Sequence, residues 1–208
     1  MLAKAFICLS YIMCEVNEMA VEDFIKNATG FITHPGKQFE HVKRAPLSDA
    51  MVYGLVGLFI YGLLASLVAT TLNTAMMPLG GSVVFVVMLL VVWLGGFVGT
   101  LVGSLWVHLW AYLFGARGID KTIAIQFYAN TPTYLLGWIP VVNLFTAIWS
   151  IVLLGIGLTK VHKLTTGQAI GTVLIAIIIP TILILIIVGL AVVAYMSSIG
   201  SVAHGYSY

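Results

Sequence analysis

The sequence predicts an all-α polytopic membrane bundle of five transmembrane helices, with the N-terminus cytoplasmic and the C-terminus outside. Three observations predict it. The first is composition: 61% of the 208 residues are hydrophobic and 8% are charged, against roughly 45–50% and 25% in soluble domains. A soluble fold of this size needs far more polar surface, which excludes a soluble enzyme and a nucleic-acid-binding module. The second is that the nine basic and seven acidic residues leave three charge-free stretches, 50–116, 122–159 and 164–208. Each is longer than the ~20 apolar residues that cross a bilayer. The third is charge placement. With five spans, the N-terminal segment and the loops at 115–121 and 160–166 share one side. They hold Lys4, Lys26, Lys37, Lys43, Arg44, Arg117, Lys121, Lys160 and Lys163, which are all nine basic residues. The turn at 72–81, the turn Trp138-Ile139-Pro140 and the tail 196–208 hold none. The positive-inside rule then sets the orientation, and a cleaved signal, which would put the basic segment outside, is disfavoured.

Residues 1–18 read as an upstream-start or disordered extension, with Met19 as a second candidate start. Lys4 and the apolar run from Ala5 to Cys14 resemble a secretory signal weakly, but no small-residue cleavage site follows. Cys8 and Cys14 fit neither a redox pair nor a zinc set. Residues 19–47 form a cytoplasmic amphipathic helical segment. Val21, Phe24, Ile25, Ala28, Phe31 and Ile32 recur at helical spacing opposite Glu22, Asp23, Lys26 and Asn27. Pro35-Gly36 ends this helix, and a second short one buries Phe39 and Val42. Such helices either lie flat on a membrane surface or dock on the protein's own bundle.

The membrane domain occupies 48–208. Its first span, about 48–71, starts from Ser48 or Asp49 as cap and is followed by a turn through Met77-Pro78-Leu79-Gly80-Gly81. The second, 82–114, would be roughly 50 Å long at ~1.5 Å per residue, so it must tilt, project, or bend near Gly95-Gly96. The third, about 122–138, contains Pro132, and Trp138-Ile139-Pro140 turns into the fourth, about 141–159. The fifth, about 167–195, has Pro180 near its middle and Thr165 and Gln168 spaced as a capping box.

No phosphate-binding loop, metalloprotease helix, nucleophile elbow or dinucleotide fingerprint is present. No Asp, Glu, Lys or Arg lies inside a predicted span, unlike the proton-coupled pumps that keep ionisable groups there. Catalytic residues, cofactors and metals are therefore not expected. Three polar or small-residue patterns stand out. Thr100, Ser104, His108 and Tyr112 form a stripe at i+4 steps, which lines a polar path or hydrogen-bonds a neighbouring helix. Gly95, Gly99 and Gly103 repeat every four residues; the stripe packs helices inside the monomer or pairs two copies, with Gly99 against another backbone. Gln126, Asn130, Thr131 and Thr133 crowd around Pro132, with Asn143 in the next span. They form either a transporter-like helix break or a kink whose freed carbonyls the local side chains satisfy, Gln126 and Asn130 foremost.

The run Tyr112-Leu113-Phe114-Gly115-Ala116-Arg117-Gly118, then Gln126-Phe127-Tyr128-Ala129-Asn130-Thr131-Pro132, resembles the core of the Yip family, five-span membrane proteins named for interaction with Ypt/Rab GTPases. Trp138-Ile139-Pro140, Trp149, Gly157-Leu158 before His162 and Lys163, and Thr33-His34-Pro35 with Phe39 continue the likeness over about 30–195. The resemblance implies a non-enzymatic integral membrane protein, a scaffold or trafficking-type organiser, with a membrane or GTPase protein as partner. Its compact form implies the prokaryotic cell membrane. The Asp-Leu-Tyr-Gly-Pro-like motif of eukaryotic members is missing; only Leu47-Ser48-Asp49 stands nearby, which weakens the carry-over of GTPase recruitment. The alternative is a small channel or transporter using the Pro132 break and the His108 stripe. Partners on either reading are the lipid bilayer and a second copy of the chain, not nucleic acid.

Overall fold

The computed structural model describes residues 22–72 and 81–205, with side chains as far as residue 197. The expectations for 1–21, including Cys8, Cys14, Met19 and Val21, and for the turn at 73–80 lie outside the described residues. Everything described is helix or short connection: α1 (22–33), α2 (Pro35–Val42), α3 (Leu47–Leu72), α4 (Gly81–Leu113), α5 (Ile119–Ala129), α6 (Thr131–Leu136), α7 (Pro140–Val161) and α8 (Thr166–Gly205). Four of these, α3, α4, α7 and α8 over Thr166–Ser197, are long and apolar enough to cross a membrane. The stretch expected as the third span is instead two helices of eleven and six residues that meet at Asn130.

The short helices α1 and α2 dock on the bundle. Phe24, Ala28, Phe31, Phe39 and Val42 are buried, whereas Ile25 and Ile32 are exposed. Pro35 does more than end α1: it is the first residue of α2, where a missing N–H costs nothing. Lys160 of α7 pairs with Glu40 of α2 at 3.0 Å, and both are half exposed, so the pair contributes little. That same contact holds the Glu40 carboxyl below its ordinary range.

Inside the bundle α3 packs on α4, α5 and α6, while α7 packs on α2, α5, α6 and α8. Glycines make the close approaches on α3: Phe127 lies over Gly54 and Tyr134 over Gly57. Across the α3–α4 seam, Leu58 lies 2.8 Å from where a Cβ on Gly96 would sit. The Trp93 indole N–H there donates to the Leu55 carbonyl at 3.0 Å. Helix α4 runs unbroken through Gly95-Gly96.

Connections at the far end of α4 are set by backbone chemistry. Ala116 N–H bonds Ala111 C=O and Gly115 N–H bonds Tyr112 C=O, both at 3.0 Å. Gly115 has φ of +101°. This is the paired 6→1 and 5→2 closure that needs a left-handed residue. Arg117 then folds back over the Tyr112 ring, 4.4 Å from its centroid. The capping box at the start of α8 forms as read: Thr165 N–H donates to Gln168 Oε1 at 2.9 Å and Gln168 N–H to Thr165 Oγ1 at 3.3 Å.

Pro180 sits inside α8 without ending it. A proline there leaves the carbonyl four residues back without its helical donor. That carbonyl belongs to Ala176, and the Trp106 indole N–H of α4 donates to it at 2.8 Å. Beyond this point, from Thr181 to Ser197, every residue of α8 is exposed, an apolar surface suited to lipid.

Candidate functional site

The break between α5 and α6 is the first place where the polar residues of the apolar helices gather. Pro132 leaves the Tyr128 carbonyl without a donor, and the Thr131 hydroxyl donates to it at 2.6 Å. Thr131 has one proton, so the Tyr53 hydroxyl, 2.7 Å away, must be the donor to Thr131 Oγ1. Both side chains are buried. Thr133 bonds Ser150 of α7 at 3.1 Å, and Asn143 donates to the Gly137 carbonyl at 2.6 Å. Capping therefore falls to Thr131, not to Gln126 or Asn130 as the spacing suggested. The Gln126 Oε1 is buried with no partner among the described residues.

The stripe on α4 is divided by its partners. Thr100 and Ser104 are buried, and their hydroxyls bond carbonyls of their own helix at Gly96 and Thr100, 2.8 and 2.6 Å. They line no path. His108 looks instead toward α5: its Nδ1 is 2.7 Å from Thr122 Oγ1, which is 2.9 Å from Nε2 of His162. Thr122 is fully buried, and its single proton lets it donate to one imidazole while accepting from the other. The two rings stand 6.1 Å apart between centroids. Tyr112 is exposed, beside Arg117. Thr122 and His162 lay outside the sequence-based candidates. A hydroxyl at the start of α5 and a histidine just after α7 gave no periodic signal of their own.

His162 is pushed down to about 4 by burial, and the charges of His108 and Lys121 add to the effect. A backbone hydrogen bond with Arg117 and the Asp120 carboxylate work the other way. The folded value lies below that of the unfolded chain, so between the two the unfolded chain binds more protons. Stability is thus complete above about pH 6.5 and falls as pH drops toward about 4. We expect the thermal midpoint in detergent to fall between pH ~7 and ~5, and His162→Gln to reduce that fall. An unchanged slope in the variant would show that His162 takes no part.

The glycine stripe of α4 behaves differently from its neighbour Gly96. No atom of the described residues lies within 4 Å of a Cβ built at Gly95, Gly99 or Gly103. Within one chain this face packs against nothing described, because α3 approaches α4 along the side that carries Trp93 and Gly96. No group of three or more His, Cys, Asp or Glu suited to a metal occurs among the described residues.

An aromatic column ties the docked N-terminal helices to the break. Phe39 meets Phe31, Phe31 stacks on Tyr128, and Tyr53 lies between Phe24, Tyr128 and Tyr134, with centroids 4.8 to 6.4 Å apart. The same Tyr53 that completes the hydrogen bonds of the break thus also carries the amphipathic segment.

Long apolar helices around a buried aromatic and hydroxyl core define an α-helical integral membrane protein. The chain belongs to the Yip1 domain family, whose profile matches residues 29–189. That match takes in Phe31, all of α2 and the whole helix break, and begins after Phe24 and Ala28. No curated protein and no solved structure matches the chain.

Proposed function

We propose that this protein is a non-enzymatic membrane scaffold of the Yip family, acting through its docked N-terminal segment and its helix packing. The observation that carries this reading is the self-satisfaction of the break: Tyr53, Thr131, Thr133, Ser150 and Asn143 bond one another or nearby carbonyls. A solute pathway needs groups held free to replace a solute's water, and these are already engaged. The exposed faces of α1 and α2, with Glu22, Asp23, Lys37 and His41, are the surface a membrane or GTPase protein partner would meet. The open Gly95, Gly99 and Gly103 face is where a second copy would pack. Two atoms favour a channel or transporter instead: Gln126 Oε1 and the Tyr134 hydroxyl, both buried beside the break with no hydrogen-bond partner among the described residues. Liposomes reconstituted with the full chain are expected to pass neither ions nor polar solutes. A flux that disappears in Asn130→Ala would replace the scaffold with a carrier.

The topology that supports this reading has five spans, with α5 and α6 crossing together and the N-terminus in the cytoplasm of a prokaryotic cell. The one-sided distribution of Lys and Arg supports it. Single cysteines introduced by Lys163→Cys and Ser201→Cys, in a background lacking Cys8 and Cys14, are expected to be labelled from opposite sides. Labelling of both from one side would mean an even number of spans between the loop and the tail.

A further inference from the structure

A cavity of about 200 Å³ opens where the α2–α3 connection meets α5 and the end of α7. Its rim carries Lys43, Arg44 and Lys121, and its one carboxylate is Asp120. None of the three cations has a carboxylate of the described residues within ion-pairing distance; the pair that forms joins Lys160 to Glu40. Its floor is apolar, built from Phe39, Val42, Leu47, Ala124, Ile125 and Val161. Leu47 begins α3 and Val161 ends α7, two of the helices fit to cross a membrane. The cavity therefore lies where such helices leave hydrocarbon and meet headgroups.

We infer that this cavity binds the phosphate of an anionic phospholipid, with Lys43, Arg44 and Lys121 around the charge and the apolar floor under the glycerol end. Unpaired cations beside low-dielectric walls concentrate anions, and Arg offers a planar fork that matches phosphate oxygens. The floor decides between a free anion and a lipid. Soluble phosphate makes no use of Phe39 and Ile125, whereas the glycerol end and first methylenes of a lipid can lie on them. Asp120 opposes the anion and sets an upper limit on affinity. The inference rests on this end of the bundle lying at a membrane surface, which cysteine labelling of Lys163→Cys tests separately.

The full chain in neutral detergent, titrated with phosphatidylglycerol and followed by native mass spectrometry, tests it. We expect phosphatidylglycerol to bind and phosphatidylcholine to bind much more weakly. Arg44→Gln with Lys121→Gln is expected to weaken binding about twenty-fivefold, at roughly a fivefold loss per basic residue, while Asp120→Asn tightens it about fivefold. Arg117→Gln with Lys163→Gln removes two cations from the neighbouring α4–α5 and α7–α8 connections, neither of which lines the cavity, and is expected to change the affinity by less than about twofold. The substituted side chains are exposed, so every variant is expected to stay folded; the control pair also loses the Arg117 contact with the Tyr112 ring, and affinities are compared below the melting temperature of each variant. Equal losses in both double variants would overturn the inference, because the general field of the basic end would then suffice. Displacement of the lipid by millimolar inorganic phosphate would overturn the lipid assignment in favour of a soluble anion. Displacement by an acidic peptide would overturn it in favour of a protein.

Discussion

Phe31→Ala is expected to release the N-terminal helices from the bundle while the apolar helices stay assembled. Phe31 has no exposed surface. Its ring contacts Phe39 at 4.8 Å and Tyr128 at 5.0 Å between centroids, so it joins α1 to α2 and both to α5. Truncating a fully buried Phe costs about 3–5 kcal/mol. The rest of the docking rests on Phe24, Phe39 and Val42 and on an exposed ion pair, and a helix of eight residues such as α2 has little stability alone. The loss therefore falls on docking as a local unit, not on the whole fold. Amide exchange over 22–42 should quicken by about two to four orders of magnitude, with exchange in α4 and α7 unchanged. Ile25→Ala, on the exposed side of the same helix, should alter it by no more than ~0.5 kcal/mol. Equal effects at the two positions would show that α1 is held by lipid or detergent and not by the aromatic column.

That contrast between Phe31 and Ile25 marks how far the sequence could be read. Helical spacing placed both on one apolar face, and both are apolar enough to be core. Which of them touches the bundle depends on the rotation of α1 over α3 and α5, and periodicity carries no information about that. The buried pair Phe39 and Val42 was legible because α2 is short and offers only one apolar edge. The same limit explains the glycines. A repeat of Gly at i, i+4, i+8 in α4 is a strong local signal, but its face looks away from α3. Gly54 and Gly57 in α3 are spaced by three, in a helix with other glycines nearby, and nothing local says that they carry the close packing.

Proline chemistry was legible in half. Any proline in an apolar helix leaves a carbonyl that needs a donor in a medium without water, so the need at Tyr128 and Ala176 follows from Pro132 and Pro180 alone. The donors do not. One is the adjacent Thr131 and the other is Trp106, seventy positions away on α4. The first could be narrowed to the polar residues near the break; the second required the tertiary fold. His162 is similar, since its link to His108 runs through Thr122 and brings together the ends of three helices.

Gly57→Ala is the second large effect expected, and it separates the packed glycines from the open ones. An added Cβ at Gly57 would overlap the Tyr134 ring, meeting Cγ at 2.7 Å and Cε2 at 2.9 Å. Tyr134 cannot step back easily. It is fully buried, its ring packs beside Tyr53 at 6.4 Å, and it lies in α6, whose start is fixed by the bonds of Thr131. Overpacking of this kind costs about 1–3 kcal/mol, and the helix-propensity gain of Ala over Gly returns up to ~1 kcal/mol. A net loss of about 1–2 kcal/mol is expected, read as a lower thermal midpoint in detergent. Gly54→Ala should act alike through Phe127, which is itself stacked on Phe97. The double variant should cost less than the sum, because one outward shift of α3 relieves both overlaps. Gly99→Ala meets no atom of the described residues, so the propensity term stands alone and the monomer should be unchanged or more stable by up to ~1 kcal/mol. If Gly99→Ala destabilises the monomer as much as Gly57→Ala does, the α3–α4 face has been placed on the wrong side of α4.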